Sequence, residues 1–155
     1  MKTSPKAEIL VGRIPRGAYN RDPLSLVDGK PLFLTGRDDK EFIVWGEEEG
    51  KMYDGIVHLS LADGRPLYLA MLNRKWFVVW GVVEGKKYVS VKCHSIVGGK
   101  PLYIAKDDDK QFIVWGEEEY KAYDEVFSLE AKDGVITYGA RKGRRIYRVT
   151  RTISA

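Results

Sequence analysis

The chain has 155 residues, 44% apolar and 31% charged, which is enough for one sizeable core and excludes a disordered polymer. Its net charge of +4 is uneven: residues 1–21 carry +4, residues 141–155 carry +6 and the body between them −6, so basicity alone argues weakly for nucleic acid. A single cysteine, Cys93, excludes an intramolecular disulfide, and no apolar run approaches the roughly 20 residues that cross a bilayer, so a reduced, cytoplasmic location without membrane association is expected.

In chain order, residues 1–7 read as a flexible leader and residues 8–155 as a single β-repeat domain. Ile9-Leu10-Val11-Gly12 is a short copy of the later FIVWG strand and is expected to complete an interrupted repeat. The first full repeat opens at Asp28-Gly29, a dipeptide that tolerates the positive φ of a tight hairpin. Leu24 and Leu26 alternate before it, and Leu32 and Leu34 flank Phe33 after it, predicting two antiparallel strands. Pro31 has no amide hydrogen and belongs at a strand start or an outer edge. A second turn leads into Glu41 to Trp45, read as a strand buried on both faces and ended by Gly46. A charged loop follows, then a short strand around Tyr53, and Ile56 to Leu61 begins the next hairpin.

The same grammar returns every 35 residues. Trp45, Trp80 and Trp115 keep that spacing, as do Asp28-Gly29, Asp63-Gly64, Gly98-Gly99 and Asp133-Gly134; residues 28–62 and 98–132 share 19 of 35 positions. The prediction is an all-β fold of repeated antiparallel hairpins, three or four strands per repeat and about four short repeats, without a helix.

Two repeats depart from the pattern. The middle one has Val82-Val83 where its neighbours have glutamates, and Met71-Leu72 where they have charged turns. Either this repeat is enclosed by its neighbours, or Met71, Leu72, Val82 and Val83 form an apolar contact surface for a partner protein or a second copy. The last one loses its tryptophan and gains Arg141, Arg144, Arg145, Arg148 and Arg151. These fit a solvated terminal cap, or a nucleic-acid contact helped by Tyr138 and Tyr147, although strand parity gives no single arginine stripe.

The hairpin DGKPLYxA, followed by KxFxVWG, an EGKxYD-like segment and a return strand, resembles the WD40-like β-propeller repeat of TolB-type proteins over residues 8–149. That resemblance implies a propeller-like fold. The DG-type dipeptides become turns between the first two strands of each blade, Phe42 to Trp45 and its copies the third strands, and the Tyr53, Tyr88 and Tyr123 segments the outer ones. From the residues alone, an open antiparallel β-repeat stack is the alternative.

Chemistry-bearing residues are sparse. His58, Cys93 and His94 lack a metal-binding or catalytic spacing, and no cofactor is expected. The acidic runs show no calcium-loop pattern, and a hydrolase with a carboxylate pocket requires a cleft that sequence alone does not define. The leading expectation is therefore a noncatalytic protein-interaction or self-assembly scaffold, with nucleic-acid binding and an acidic-pocket hydrolase as alternatives.

Overall fold

The structure, a computed structural model, describes residues 3–20 and 22–153, Asn20 by its backbone. Of the expected leader, residues 1 and 2 lie outside the described residues. The chain divides into two compact units, Met1–Asp54 and Gly55–Ala155.

The first unit holds one sheet, built from β1 (Tyr19–Asn20), β2 (Leu26–Val27), β3 (Lys30–Arg37), β4 (Lys40–Trp45) and β5 (Glu48–Glu49). Phe33, Phe42 and Val44 form its core on one face, with Ala18 and Met52 packed against them. Pro31 sits near the start of β3, where its carbonyl accepts from Gly46 N–H at 2.8 Å.

The second unit repeats that plan three times. Its first sheet comprises β6 (Gly55–Ala62), β7 (Arg65–Leu72), β8 (Lys75–Trp80) and β9 (Val83–Glu84). The next comprises β10 (Ser90–Val97), β11 (Lys100–Asp107), β12 (Lys110–Trp115) and β13 (Glu118–Glu119), and the last β14 (Glu125–Lys132), β15 (Val135–Lys142) and β16 (Arg145–Thr152). Turns explain the meander. Asp63 and Gly64 have φ of 47° and 74°, and Asn73 and Arg74 have 51° and 65°, the left-handed pairs that two-residue hairpins require. The segment expected to form a strand around each tyrosine is instead a single bridge, Glu41 to Tyr53, Trp76 to Tyr88 and Gln111 to Tyr123.

Strand alternation divides each sheet between two cores. In the β10–β13 sheet, Tyr103, Ala105, Phe112 and Val114 pack with Leu67, Leu69, Val78 and Tyr88 of the preceding sheet. Leu102, Ile104, Ile113 and Trp115 point the other way, onto Ile136, Tyr138 and Ala140 of the last sheet. The middle layer of this unit is thus buried on both faces. The far face of the last sheet is mixed, with Thr137, Arg148, Thr150 and Thr152 beside Phe127, Val135 and the exposed Ile146.

A bulge recurs in the first strand of each sheet of this unit. The registers of β6, β10 and β14 slip between Val57 and Ser60, Lys92 and Ser95, and Phe127 and Glu130. His58, Cys93 and Ser128, spaced 35 apart, take φ of 57°, 57° and 54° there. The equivalent residue of the first repeat is Pro23, whose ring fixes φ near −65°. A left-handed bulge is impossible at that position, and the first strand is split into β1 and β2, both paired with β3.

The propeller expectation is overturned, and the chain is not a WD40-like or TolB-type repeat. The fold is all-β with four repeated antiparallel sheets, none closed or curled into a blade arrangement, and within the second unit the open repeat stack is the better description. Two physical reasons account for this. A 35-residue period leaves only two residues for the fourth strand, too few for a four-stranded blade. The closing strand expected at Ile9, Leu10 and Val11 is also missing: those side chains are exposed and belong to no strand.

Candidate interaction surfaces

A row of side chains recurs at the end of each third strand. In the β10–β13 sheet, Trp115 is buried, its indole Nε1–H donates to the Val97 carbonyl at 2.8 Å, Lys100 lies 4.6 Å from its ring centre, and Glu118 pairs with it in register. The first unit has the same row of residues in Lys30, the half-buried Trp45 and Glu48. The β6–β9 sheet changes both flanks. Arg65 stacks 4.7 Å from the Trp80 ring centre, Nε1–H donates to the Ala62 carbonyl at 2.9 Å, and Val83 replaces the glutamate. Val82 is 95% exposed and Val83 64%, and Trp80 is half-buried. The tryptophans thus anchor the hairpin, and beside the half-buried Trp80 the side chains of Arg65, Val82 and Val83 are exposed.

Met71 and Leu72 lie elsewhere. Both are half-buried at the β7–β8 turn, the opposite end of β8 from Val82 and Val83. Six residues of strand span about 20 Å, so the four positions do not make one patch. Met71 is in register with Trp76, and that row continues to Tyr88. In the other two complete repeats the position of Trp76 holds Glu41 or Gln111, and the Lys40–Asp54 and Lys110–Asp124 ion pairs become Lys75 and Val89. Trp76 and Val89 were missed as candidate contact residues; their departure from the 35-residue period was the available signal.

The arginine cluster is dispersed. Arg141 pairs with Glu125 at 3.2 Å and donates to the Gly143 carbonyl at 2.9 Å. Arg151 lies 4.0 Å from the Tyr120 ring centre and beside the Tyr138 hydroxyl, on the face turned toward the β10–β13 sheet. Arg148 is on the opposite face, and Arg144 and Arg145 are at the hairpin tip. They do not form one continuous face for a phosphate backbone.

The polar network between sheets is more ordered. The Tyr88 hydroxyl donates to Glu119 Oε2 at 2.6 Å, and Lys86 Nζ donates to the same oxygen at 3.1 Å. Burial, reinforced by Glu119, pushes the Tyr88 hydroxyl well above its ordinary range, and burial pushes Tyr103 up to about 12. The Tyr88 hydrogen bond, then Lys86, holds the Glu119 carboxyl below the usual carboxylate range.

The histidines meet across two bulges, their ring centres 6.2 Å apart. Burial lowers the His94 pKa, opposed by a hydrogen bond to the His58 backbone. Cys93 is exposed beside them, in a bulge where strict strand alternation does not apply. Among the described residues, no three His, Cys, Asp or Glu side chains converge as a metal site.

A further apolar surface lies in the first unit. A cleft of ≈ 270 Å³ is lined by Gly12, Arg13, Ile14, Leu24, Leu26 and Phe33, with Pro31 among them. No helix among the described residues is long and apolar enough to cross a membrane. No protein family, curated protein or solved structure matches this chain.

Proposed function

We propose that the chain is a noncatalytic protein-interaction scaffold, whose repeats hold a rigid β framework while non-repeating side chains make the contacts. The observation that carries this is the Arg65–Trp80–Val83 row with Val82 beside it, standing where the other complete repeats have Lys-Trp-Glu. Tryptophan and arginine are the side chains that concentrate binding energy at protein interfaces, and an exposed valine pair beside them adds apolar area without a desolvated charge. Met71 and Leu72, at the other end of the strand, supply a second contact rather than part of the first. Self-association of the chain is the form of contact available to the purified protein. The exposed thiol of Cys93 supports a reducing compartment such as the cytoplasm.

Sedimentation velocity on wild type and on Val82→Glu/Val83→Glu tests this. The substitutions restore the neighbouring repeats' own residues, so the fold is preserved. Concentration-dependent association of the wild type, weakened in the variant, is expected; identical behaviour of the two proteins contradicts the proposal.

A further inference from the structure

The chain's two histidines lie one period and one residue apart, and both break the repeat. His58 is the left-handed residue of the β6 bulge, the place that Cys93 and Ser128 take in the next two sheets. His94 follows the corresponding residue of β10, where the other repeats have Leu24, Leu59 and Leu129. Leu129 packs onto the core between the last two sheets, so His94 stands at the matching place one layer earlier. A half-buried imidazole there gives up the apolar burial of a leucine and brings two ring nitrogens that need partners. Packing does not explain the exchange.

The exchange does bring the two rings together, their centres 6.2 Å apart and their planes at 42°. One nitrogen of His94 is already engaged. Its hydrogen bond to the His58 backbone raises the ring's affinity for a proton, so the ring N–H donates and the carbonyl accepts. The other nitrogen therefore carries a lone pair. A ring N–H anchored on a carbonyl is the arrangement that fixes tautomer and orientation in metal-ligating histidines, and burial keeps this ring in the neutral form that ligates. His58 is exposed, so an ion reaches the pair from solvent.

Metal–nitrogen bonds of about 2.0 Å put the centres of two imidazoles on one ion about 5 Å apart at a tetrahedral angle and about 6.3 Å apart when they oppose each other. The observed 6.2 Å is close to the second value. Opposed imidazoles suit the tetragonal geometry of Cu²⁺ and Ni²⁺ better than the tetrahedral geometry of zinc, and Cu²⁺ is the more tightly bound of the two. We propose that His58 and His94 are a two-histidine site for a late first-row divalent cation, Cu²⁺ foremost, which joins the β6–β9 sheet to the β10–β13 sheet. No third His, Cys, Asp or Glu side chain completes the set among the described residues, so water fills the remaining positions and the affinity is moderate. This site is separate from the Trp80 row and is tested separately.

The probe is glycine-buffered Cu²⁺, titrated calorimetrically into the tag-free full chain carrying Cys93→Ser, since Cu²⁺ oxidises an exposed thiol. Wild type and Cys93→Ser are compared with Ni²⁺. One Cu²⁺ per chain with a Kd below about 10 µM is expected, and Ni²⁺ at least about tenfold weaker. Electron paramagnetic resonance should show a tetragonal Cu²⁺ signal split by two nitrogen nuclei. His94→Leu and His58→Ser restore what Leu129 and Ser128 are in the last repeat, so the fold is preserved, which circular dichroism checks. Each should weaken Cu²⁺ binding at least about tenfold and abolish the rise in melting temperature that the ion gives the parent chain. If one variant does not fold, the other and the nitrogen splitting decide. The proposal is overturned by absent saturation, by affinity unchanged in a folded variant, by fewer than two nitrogen donors, by Mg²⁺ binding as tightly as Ni²⁺, or by Ni²⁺ binding that Cys93→Ser abolishes.

Discussion

The Tyr88 hydroxyl and the Glu119 carboxylate are 2.6 Å apart, joining the segment after β9 of one sheet to β13 of the next. Tyr103, also hydrogen-bonded to Tyr88, ties this contact to the core between the two sheets. One polar chain therefore fixes the stacking of layers that are otherwise held by apolar packing.

Tyr88→Phe and Glu119→Gln should each lower stability by about 1 kcal/mol, less than the usual contribution of a hydrogen bond to a charged group because Glu119 is reached by solvent. Urea denaturation of the two single variants and the double variant checks this, with coupling expected between them and additivity counting against the link.

Alkaline pH should loosen the same interface. Tyr88 and Tyr103 ionise above their ordinary value of 10.0 in the folded chain, so folding favours the protonated hydroxyls. Their contribution is complete below pH 10 and declines as pH rises toward about 12, the folded value of Tyr103. Thermal midpoints across this range should fall less steeply in Tyr103→Phe than in wild type.

His94 gives the opposite slope in acid. Its folded pKa lies below the ordinary 6.5, so its contribution is present above pH 6.5 and lost as pH falls through the lowered value. The His58 ring faces it at 6.2 Å between ring centres. Melting temperatures between pH 7.5 and 5 should decline more in wild type than in His94→Gln.

The repeated bulge makes a prediction of the other sign. Ser128 holds a φ of 54°, a conformation that a side chain disfavours and glycine does not. Ser128→Gly should raise stability by up to about 1 kcal/mol, measurable as an upward shift in melting temperature. Ser128→Pro, which imposes at this site the constraint of Pro23, should lower it.

Much of this fold was legible because hairpin turns write themselves into sequence. Asp28-Gly29 and the alternation around Phe33 identified their strands, and the 35-residue copies identified the rest. The bulges were not legible: His58, Cys93 and Ser128 share a backbone conformation but no side-chain chemistry, and only Pro23 betrays the position by excluding it. Ring closure failed as an expectation for a different reason. It needs a full fourth strand in each repeat and a closing strand at Ile9 to Val11, and the two-residue length of β9 and β13 and the exposure of Ile9, Leu10 and Val11 are visible only in the folded chain. Among contact residues, Val82 and Val83 were visible as departures from the period, but their distance from Met71 and Leu72 required the strand register.

The central claim is that the Trp80 row with its exposed Val82 and Val83, rather than the repeated framework, makes the contact. A dilution series of two-dimensional ¹⁵N–¹H spectra tests it residue by residue. Concentration-dependent shifts should cluster at Arg65, the Trp80 indole, Val82 and Val83, and vanish in Val82→Glu/Val83→Glu; shifts spread evenly over all repeats, or a spectrum unchanged by concentration, would contradict it.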